Sequence, residues 1–189
     1  MLIPDAYLTM PAMSWLPYGK LLEIALPIKG LEPMAKALAE GDKAPSFTLE
    51  TDAGKKVSLK DFAGKPVVLY FYPKDDTPGC TKEALDFTAS ATAFKKLGAA
   101  VIGVSKDSVA AHAKFKKKHA LALTLASDPE GKVVESYGAW VEKSMYGRTY
   151  MGIDRSTFLI DSKGKIAKIW RKVRVPGHVE EVLAITKSL

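Results

Sequence analysis

Three stretches of the chain are apolar almost without interruption. Val67 to Tyr72 reads VVLYFY, Ala99 to Ser105 reads AAVIGVS, and Ser156 to Asp161 reads STFLID. Short runs rich in β-branched and aromatic residues predict strands buried on both faces. From Thr81 the pattern turns helical, with Leu85, Phe87, Phe94 and Leu97 as its apolar positions and Thr77 or Gly79 as candidate caps. Val109 to His119 reads as a Lys-rich helix and Leu121 to Leu125 as a short strand. Asp128-Pro129-Glu130-Gly131 is a turn leading into a helix over Lys132 to Tyr137. Upstream, Phe47 to Glu50, a turn at Asp52 to Lys55, and Val57 with Leu59 predict a β-hairpin. Downstream, Ser162-Lys163-Gly164 folds the third strong strand back onto Lys165 to Val173, and His178 to Leu189 closes the chain as a helix. The order predicts an α/β fold: a central mixed sheet flanked by helices, with an N-terminal β-hairpin. The sheet is expected to be mainly parallel with an antiparallel edge.

Residues 1–40 stand apart. Tyr7, Met10, Met13, Trp15, Leu16 and Tyr18 form an apolar and aromatic cluster without a clean period, and Leu31 to Glu40 reads as a short helix with Pro33 in its first turn. The expected organisation is an extension over 1–40 and a main domain over 41–189. The extension reads as a strap over that domain, with self-association or contact with a membrane or partner as alternatives.

Composition narrows the function classes. The 189 residues are 47% hydrophobic and 26% charged, which is globular composition. The single cysteine, Cys80, rules out an intramolecular disulfide and a Cys-rich zinc site. No metal or cofactor is expected. No apolar run reaches the roughly 18 residues of a membrane span, and the prolines within the first 40 residues break any secretory-signal pattern, so a cytoplasmic protein is expected. The net charge of +7 raises nucleic-acid binding as a rival. No recognised module supports that rival, so no nucleic acid is expected as a partner. Lys114, Lys116, Lys117 and Lys118 read first as a solvated helix face, and second as a docking surface for an acidic reductant or glutathione. His112, His119 and His178 read as surface residues. Trp140 to Met151, with Tyr146 and Tyr150, reads as an aromatic wall or as ordinary edge packing.

Cys80 falls between a buried strand and a helix, in Pro73-Lys74-Asp75-Asp76-Thr77-Pro78-Gly79-Cys80-Thr81. Open α/β sheets place their ligand crevices at the carboxyl ends of such strands. A helix N-terminus offers free N–H groups and a positive dipole end, both of which favour a thiolate.

The segment PKDDTPGCTKEALDF resembles the active-site loop of peroxiredoxins, with Pro, three residues, Thr, two residues, Cys. In form it is similar to the bacterioferritin comigratory protein (PrxQ) subfamily. GDKAPSFTL, VSLKDFAGKPVVLYFYPKDDTPGC, VIGVSKDS and YGRTYMGIDRSTFLID follow in the family's order, from Gly41 onward. The resemblance implies a thioredoxin-like fold and reduction of hydrogen peroxide and organic hydroperoxides. It makes Cys80 the peroxidatic cysteine and carries the family threonine onto Thr77, the loop proline onto Pro73 and the arginine onto Arg155. Thiolate attack on the peroxide would leave a sulfenic acid, and donors must meet the charge on the departing oxygen. Arg155 would supply a charged fork, Thr77 a hydroxyl that accepts from the peroxide and donates to sulfur, Gly79 and Cys80 backbone N–H groups, and Pro73 a wall against water. Taken singly, Thr77 also reads as a helix cap, Pro73 as a strand terminator and Arg155 as a salt-bridge residue.

One departure from the family pattern matters. The resolving cysteine that many members carry five residues after the peroxidatic one is Leu85 here, and Phe115 to Lys117 holds none either. The resemblance therefore implies a one-cysteine variant recycled by an external thiol, whether thioredoxin, glutaredoxin or a small thiol. A monomer is the expected state, with a dimer as alternative. A dithiol oxidoreductase would need a cysteine where Glu83 stands, and a basic binding module would leave the PxxxTxxC loop unexplained.

Overall fold

The structure is a computed structural model that describes residues 37–145 and 147–189. The expected strap over 1–40, apart from its last four residues, and Tyr146 lie outside the described residues. Ala37 to Glu40 are not helical, so the expected helix over Leu31 to Glu40 does not reach its end. Gly41 N–H instead donates to Ile166 O at 2.7 Å.

The elements run β1 (Thr48–Thr51), β2 (Lys56–Ser58), a 3-10 turn (Leu59–Phe62), β3 (Val67–Phe71), α1 (Pro78–Lys96), β4 (Ala100–Ser105), α2 (Val109–His119), β5 (Thr124–Ser127), α3 (Lys132–Ser136), β6 (Trp140–Met145), β7 (Arg148–Ile153), β8 (Ser156–Ile160), β9 (Ile166–Trp170) and α4 (His178–Thr186). The seven-stranded sheet has the order β2-β1-β5-β4-β3-β8-β9, and β6 pairs with β7 as a separate hairpin. The three apolar runs are β3, β4 and β8, side by side at the centre. Only β3–β4 and β4–β5 pair in parallel among the described strands, while β1 and β8 join antiparallel. The sheet is therefore mixed, with antiparallel pairs on both sides of a short parallel centre, rather than mainly parallel. The pairing of the β1–β2 hairpin with β5, which the local pattern does not encode, makes the difference.

Alternation along β3 builds two cores. Val67, Leu69 and Phe71 face a layer with Ile102, Phe158, Val134 and Tyr137. Val68, Tyr70 and Tyr72 face a layer with Cys80, Phe87, Phe94, Phe115 and Val179. α3 thus covers one face of the sheet, and α1, α2 and α4 cover the other. α1 starts three residues before the expected Thr81 because Pro78 suits the first helical turn. Its buried residues are Cys80, Glu83, Ala84, Phe87 and Phe94, a helical stripe from which Leu85 points away, exposed. β5 begins at Thr124, later than expected.

Two histidines expected at the surface are buried. The His112 ring is enclosed between Tyr72 and Asp75. The His178 ring meets Phe87 and Trp170 edge-on, with Nε2 2.8 Å from Thr157 Oγ1. Both have distant polar partners, which lets a ring with a polar edge enter a core. Burial is the main reason why His178 titrates below the ordinary histidine value. His119 is half-buried, edge-on to Phe115 at 5.2 Å. Lys114, Lys117 and Lys118 are exposed, whereas Lys116 Nζ reaches Asp52 Oδ2 at 2.7 Å. Tyr150 and Met151 are exposed, and Trp140 packs on the first core, so this hairpin shows edge packing rather than a described aromatic wall.

Tyr70 pairs in register with Gly103 across β3 and β4, and its ring lies over the glycine. A Cβ on Gly103 would come within 2.5 Å of the phenol end of that ring. Gly103→Ala therefore forces Tyr70 off its stack with Phe87, whose ring centroid is 4.7 Å away. The expected loss is about 1–3 kcal/mol, read as a lower urea midpoint with an unchanged slope; an unchanged midpoint would show that Tyr70 relaxes freely.

Candidate active site

The register of β3 against β8 brings the site together. Phe71 pairs with Ser156, so Arg155, the residue before β8, stands just past the end of β3. The loop from Pro73 to Thr77 leaves the same end of β3 and enters α1. Cys80 lies in the first turn of that helix, 2% exposed. Arg155 Nη2 donates to Cys80 Sγ at 3.2 Å, and Arg155 Nη1 donates to Glu83 Oε2. Glu83 is one turn after Cys80 on the buried face of α1, so a single guanidinium spans sulfur and carboxylate.

Gly79 leaves room for this approach. A Cβ there would lie 3.3 Å from Arg155 Nη2, tighter than ordinary contact. The N–H groups of Gly79 and Cys80 lie before the first intrahelical bond, which runs from Thr81 N–H to Thr77 O at 2.8 Å. They point out of the helix end, available to an anion.

Thr77 occupies the N-cap position, but its hydroxyl does not cap the helix. It donates to Lys74 O at 3.0 Å. The proton expected on sulfur is thus committed to the loop, and the oxygen keeps its capacity to accept. Pro73 is exposed at the end of β3, and no described contact links it to Cys80.

The electrostatics follow from burial. Desolvation pushes the Glu83 carboxyl up to about 7, further than the charge and hydrogen bond of Arg155 pull it down. Burial disfavours the Arg155 charge, but Glu83 and Cys80 together more than offset this and hold the guanidinium above its ordinary value. Tyr70 is held well above the ordinary phenol value by burial first, and then by Glu83 and Cys80. Its hydroxyl therefore stays protonated. Glu83 is the site member that sequence reasoning missed. By residue type alone it marks only the place where a dithiol oxidoreductase would carry its second cysteine. The available signal was its helical offset from Cys80 and Phe87, which puts an acid on the buried stripe. A guanidinium beside a thiol at a helix N-terminus can stabilise negative charge on the sulfur and on an oxygen lodged beside it. No metal-binding cluster exists among the described residues. No described helix is long and apolar enough to cross a membrane.

Residues 40–169 match the model of the AhpC/TSA family. A putative peroxiredoxin bcp of Coxiella burnetii is 55% identical over 143 residues, 76% of this chain and 95% of the relative. Peroxiredoxin Bcp of Bacillus subtilis is 52% identical, covering 79% and 95%. Among solved structures, the Xanthomonas campestris bacterioferritin comigratory protein, described for its alkyl peroxide reduction activity, superposes with a TM-score of 0.72. It is 44% identical over 75% of this chain and 90% of that one. A Cys-to-Ser variant of Xylella fastidiosa PrxQ gives a TM-score of 0.76 at 38% identity, over 80% and 96%. The sheet and helices match the thioredoxin-like fold of those peroxiredoxins, and the matched region contains Cys80, Glu83 and Arg155. The chain belongs to the AhpC/TSA family and, within it, to the Bcp (PrxQ) peroxiredoxins.

Proposed function

We propose that this peroxiredoxin works through Cys80 alone, as a one-cysteine thiol peroxidase. The observation that carries the reading is the 3.2 Å contact from Arg155 Nη2 to Cys80 Sγ at the start of α1. In the first step the Cys80 thiolate attacks one peroxide oxygen. An S–O bond forms, the O–O bond breaks, and the departing alkoxide or hydroxide takes a proton to leave as alcohol or water. Sulfur is oxidised to the sulfenic acid and the peroxide is reduced. Arg155 and the N–H groups of Gly79 and Cys80 face the developing charge, the Thr77 oxygen accepts from the peroxide hydrogen, and Pro73 stands at the rim.

The chain has one cysteine, so the second step draws on an external thiol. That thiol attacks the sulfenic sulfur, water leaves, and a further thiol releases Cys80 as a disulfide forms on the donor. Thioredoxin, glutaredoxin or a small thiol fits this role. The catalytic domain is placed at 41–189, with 1–40 as an extension. The family match starting at residue 40 supports that placement.

Cys80→Ser should abolish peroxide consumption, since a hydroxyl stays protonated at neutral pH. One equivalent of peroxide should add one oxygen to the intact mass of the wild type and nothing to the variant. Turnover above a few percent of wild type in Cys80→Ser would overturn the reading.

Arg155→Ala should slow the oxidation of Cys80 by about 10²–10³-fold, the typical cost of one preorganised donor. Arg155→Lys should recover little, because an ammonium cannot span both Glu83 and the sulfur. Stopped-flow rates near wild type in Arg155→Ala would sink the assignment.

Glu83 also leaves a signature in stability. Between its ordinary 4.5 and its folded value of about 7, the folded carboxyl holds a proton that the unfolded one has released. Stability contributed by this group therefore falls as pH rises through that window. Urea unfolding of wild type and Glu83→Gln at pH 5 and pH 7 should give a difference that drifts toward the variant at pH 7. A difference independent of pH would mean that Glu83 titrates normally.

A further inference from the structure

Two consecutive acids in the loop before Cys80, Asp75 and Asp76, take no part in the chemistry above. Neither do the two histidines of α2 that meet them. Asp75 is held on three sides. Tyr72 Oη donates to its Oδ1 at 2.7 Å, His112 Nδ1 lies 2.8 Å from its Oδ2, and its backbone N–H donates to Asp107 Oδ2 at 2.8 Å. Asp107 is itself fixed to the carboxyl ends of β4 and β5: Ser105 Oγ donates to its Oδ2 at 2.7 Å, and Ser127 Oγ donates to its carbonyl at 2.6 Å. The His112 side chain is 0% exposed, and its Nε2 has no hydrogen-bond partner among the described residues, so Nδ1 makes the ring's polar contacts. Asp76 takes the left-handed conformation, φ +58, and its carboxylate meets Lys118 Nζ at 2.5 Å and His119 Nε2 at 2.7 Å. His112 and His119 are two turns apart, on one face of α2.

We infer that Asp75 and Asp76 are positioning residues through which α2 clamps the loop, fixing the first turn of α1 so that Cys80 stays against Arg155. The inference rests on the peroxidase reading above. The loop is short, and Asp76 sits in a backbone region that non-glycine residues seldom occupy without local support. Nothing else in the chemistry explains why a buried histidine should reach a carboxylate five residues before the thiol. The two arms differ in weight. The Asp75–His112 contact is desolvated, so cutting it leaves a buried carboxylate short of a donor. The Asp76 arm is about half exposed, and surface pairs of that kind contribute little singly.

The test compares two reactions of the same sulfur in the folded full-length protein. One is single-turnover oxidation of Cys80 by hydrogen peroxide, which needs the aligned donors. The other is alkylation by N-ethylmaleimide, a bulkier reagent that needs the thiolate and access to it but no donors aimed at a departing oxygen. His112→Ala should slow oxidation by about tenfold, since small misplacements of reacting groups are costly, and should quicken alkylation. The ratio of the two rates therefore moves, whereas a merely structural residue would lower the urea midpoint and leave the ratio alone. His112→Asn, which returns an N–H donor near the position of Nδ1, should recover most of the ratio. If His112→Ala does not fold, Lys118→Ala with His119→Ala cuts the exposed arm and should shift the ratio the same way by a smaller factor. An unchanged ratio in the folded variants overturns the clamp while the peroxidase reading stands. Wild-type protein whose Cys80 is not oxidised by peroxide overturns both.

Discussion

One guanidinium holds the site together. Arg155 donates to the Glu83 carboxylate with one nitrogen and to the Cys80 sulfur with the other, and both partners are buried. A charge is stable out of water only beside a partner and with its donors satisfied. That constraint fixes several choices at once. The β3–β8 register must deliver Arg155 to the end of β3, α1 must carry an acid one turn after the thiol, and a Cβ at residue 79 would press on the guanidinium. Each is an ordinary feature of sheet or helix geometry, and their coincidence makes the site.

The second core is polar where it approaches this pair. Tyr70 and Tyr72 stack at 5.5 Å, and Tyr72 carries the hydrogen-bond chain outward through Asp75 to His112. The same layer that supplies apolar burial for Phe87 and Phe94 thus also holds the loop in front of the thiol. Packing and positioning are one structure here. The sheet face that could have been all aliphatic carries phenols at Tyr70 and Tyr72, whose hydroxyls remain protonated beside the acids.

Much of this was legible along the chain. VVLYFY, AAVIGVS and STFLID became the three central strands, and α2 has the bounds its pattern predicts. Cys80 and Thr77 stood out because a lone cysteine at a strand-to-helix junction sits inside a recognisable loop, and Arg155 through the family-like segment that runs into STFLID. What stayed hidden depends on distant partners. His112 and His178 read as surface residues, because Asp75 lies 37 residues away from the first and Thr157 lies 21 from the second. Glu83 looked like an absent cysteine, because its buried partner comes from 72 residues downstream. Thr77 was readable as a cap by type, but its hydroxyl turns back to Lys74 O, a choice made by the turn at Asp76. The antiparallel pairing of β1 with β5 is likewise tertiary, since nothing in a four-residue strand names its neighbour.

The charge count explains why the thiol sits at a helix N-terminus and not simply beside an arginine. With Glu83 ionised, Arg155 is already neutralised, and a thiolate at Cys80 would leave one buried negative charge without a counter-charge. The free N–H groups at the start of α1, including those of Gly79 and Cys80, carry the partial positive charge that meets it. With Glu83 protonated, the whole charge of Arg155 faces the sulfur instead. Burial pushes Glu83 up to about 7, toward the protonated arrangement. The site therefore keeps a cationic environment for sulfur in either state. In one it comes from the helix end, and in the other from the guanidinium. The helix end follows a loop of five residues between β3 and the cap of α1, and the guanidinium comes from the residue just before β8.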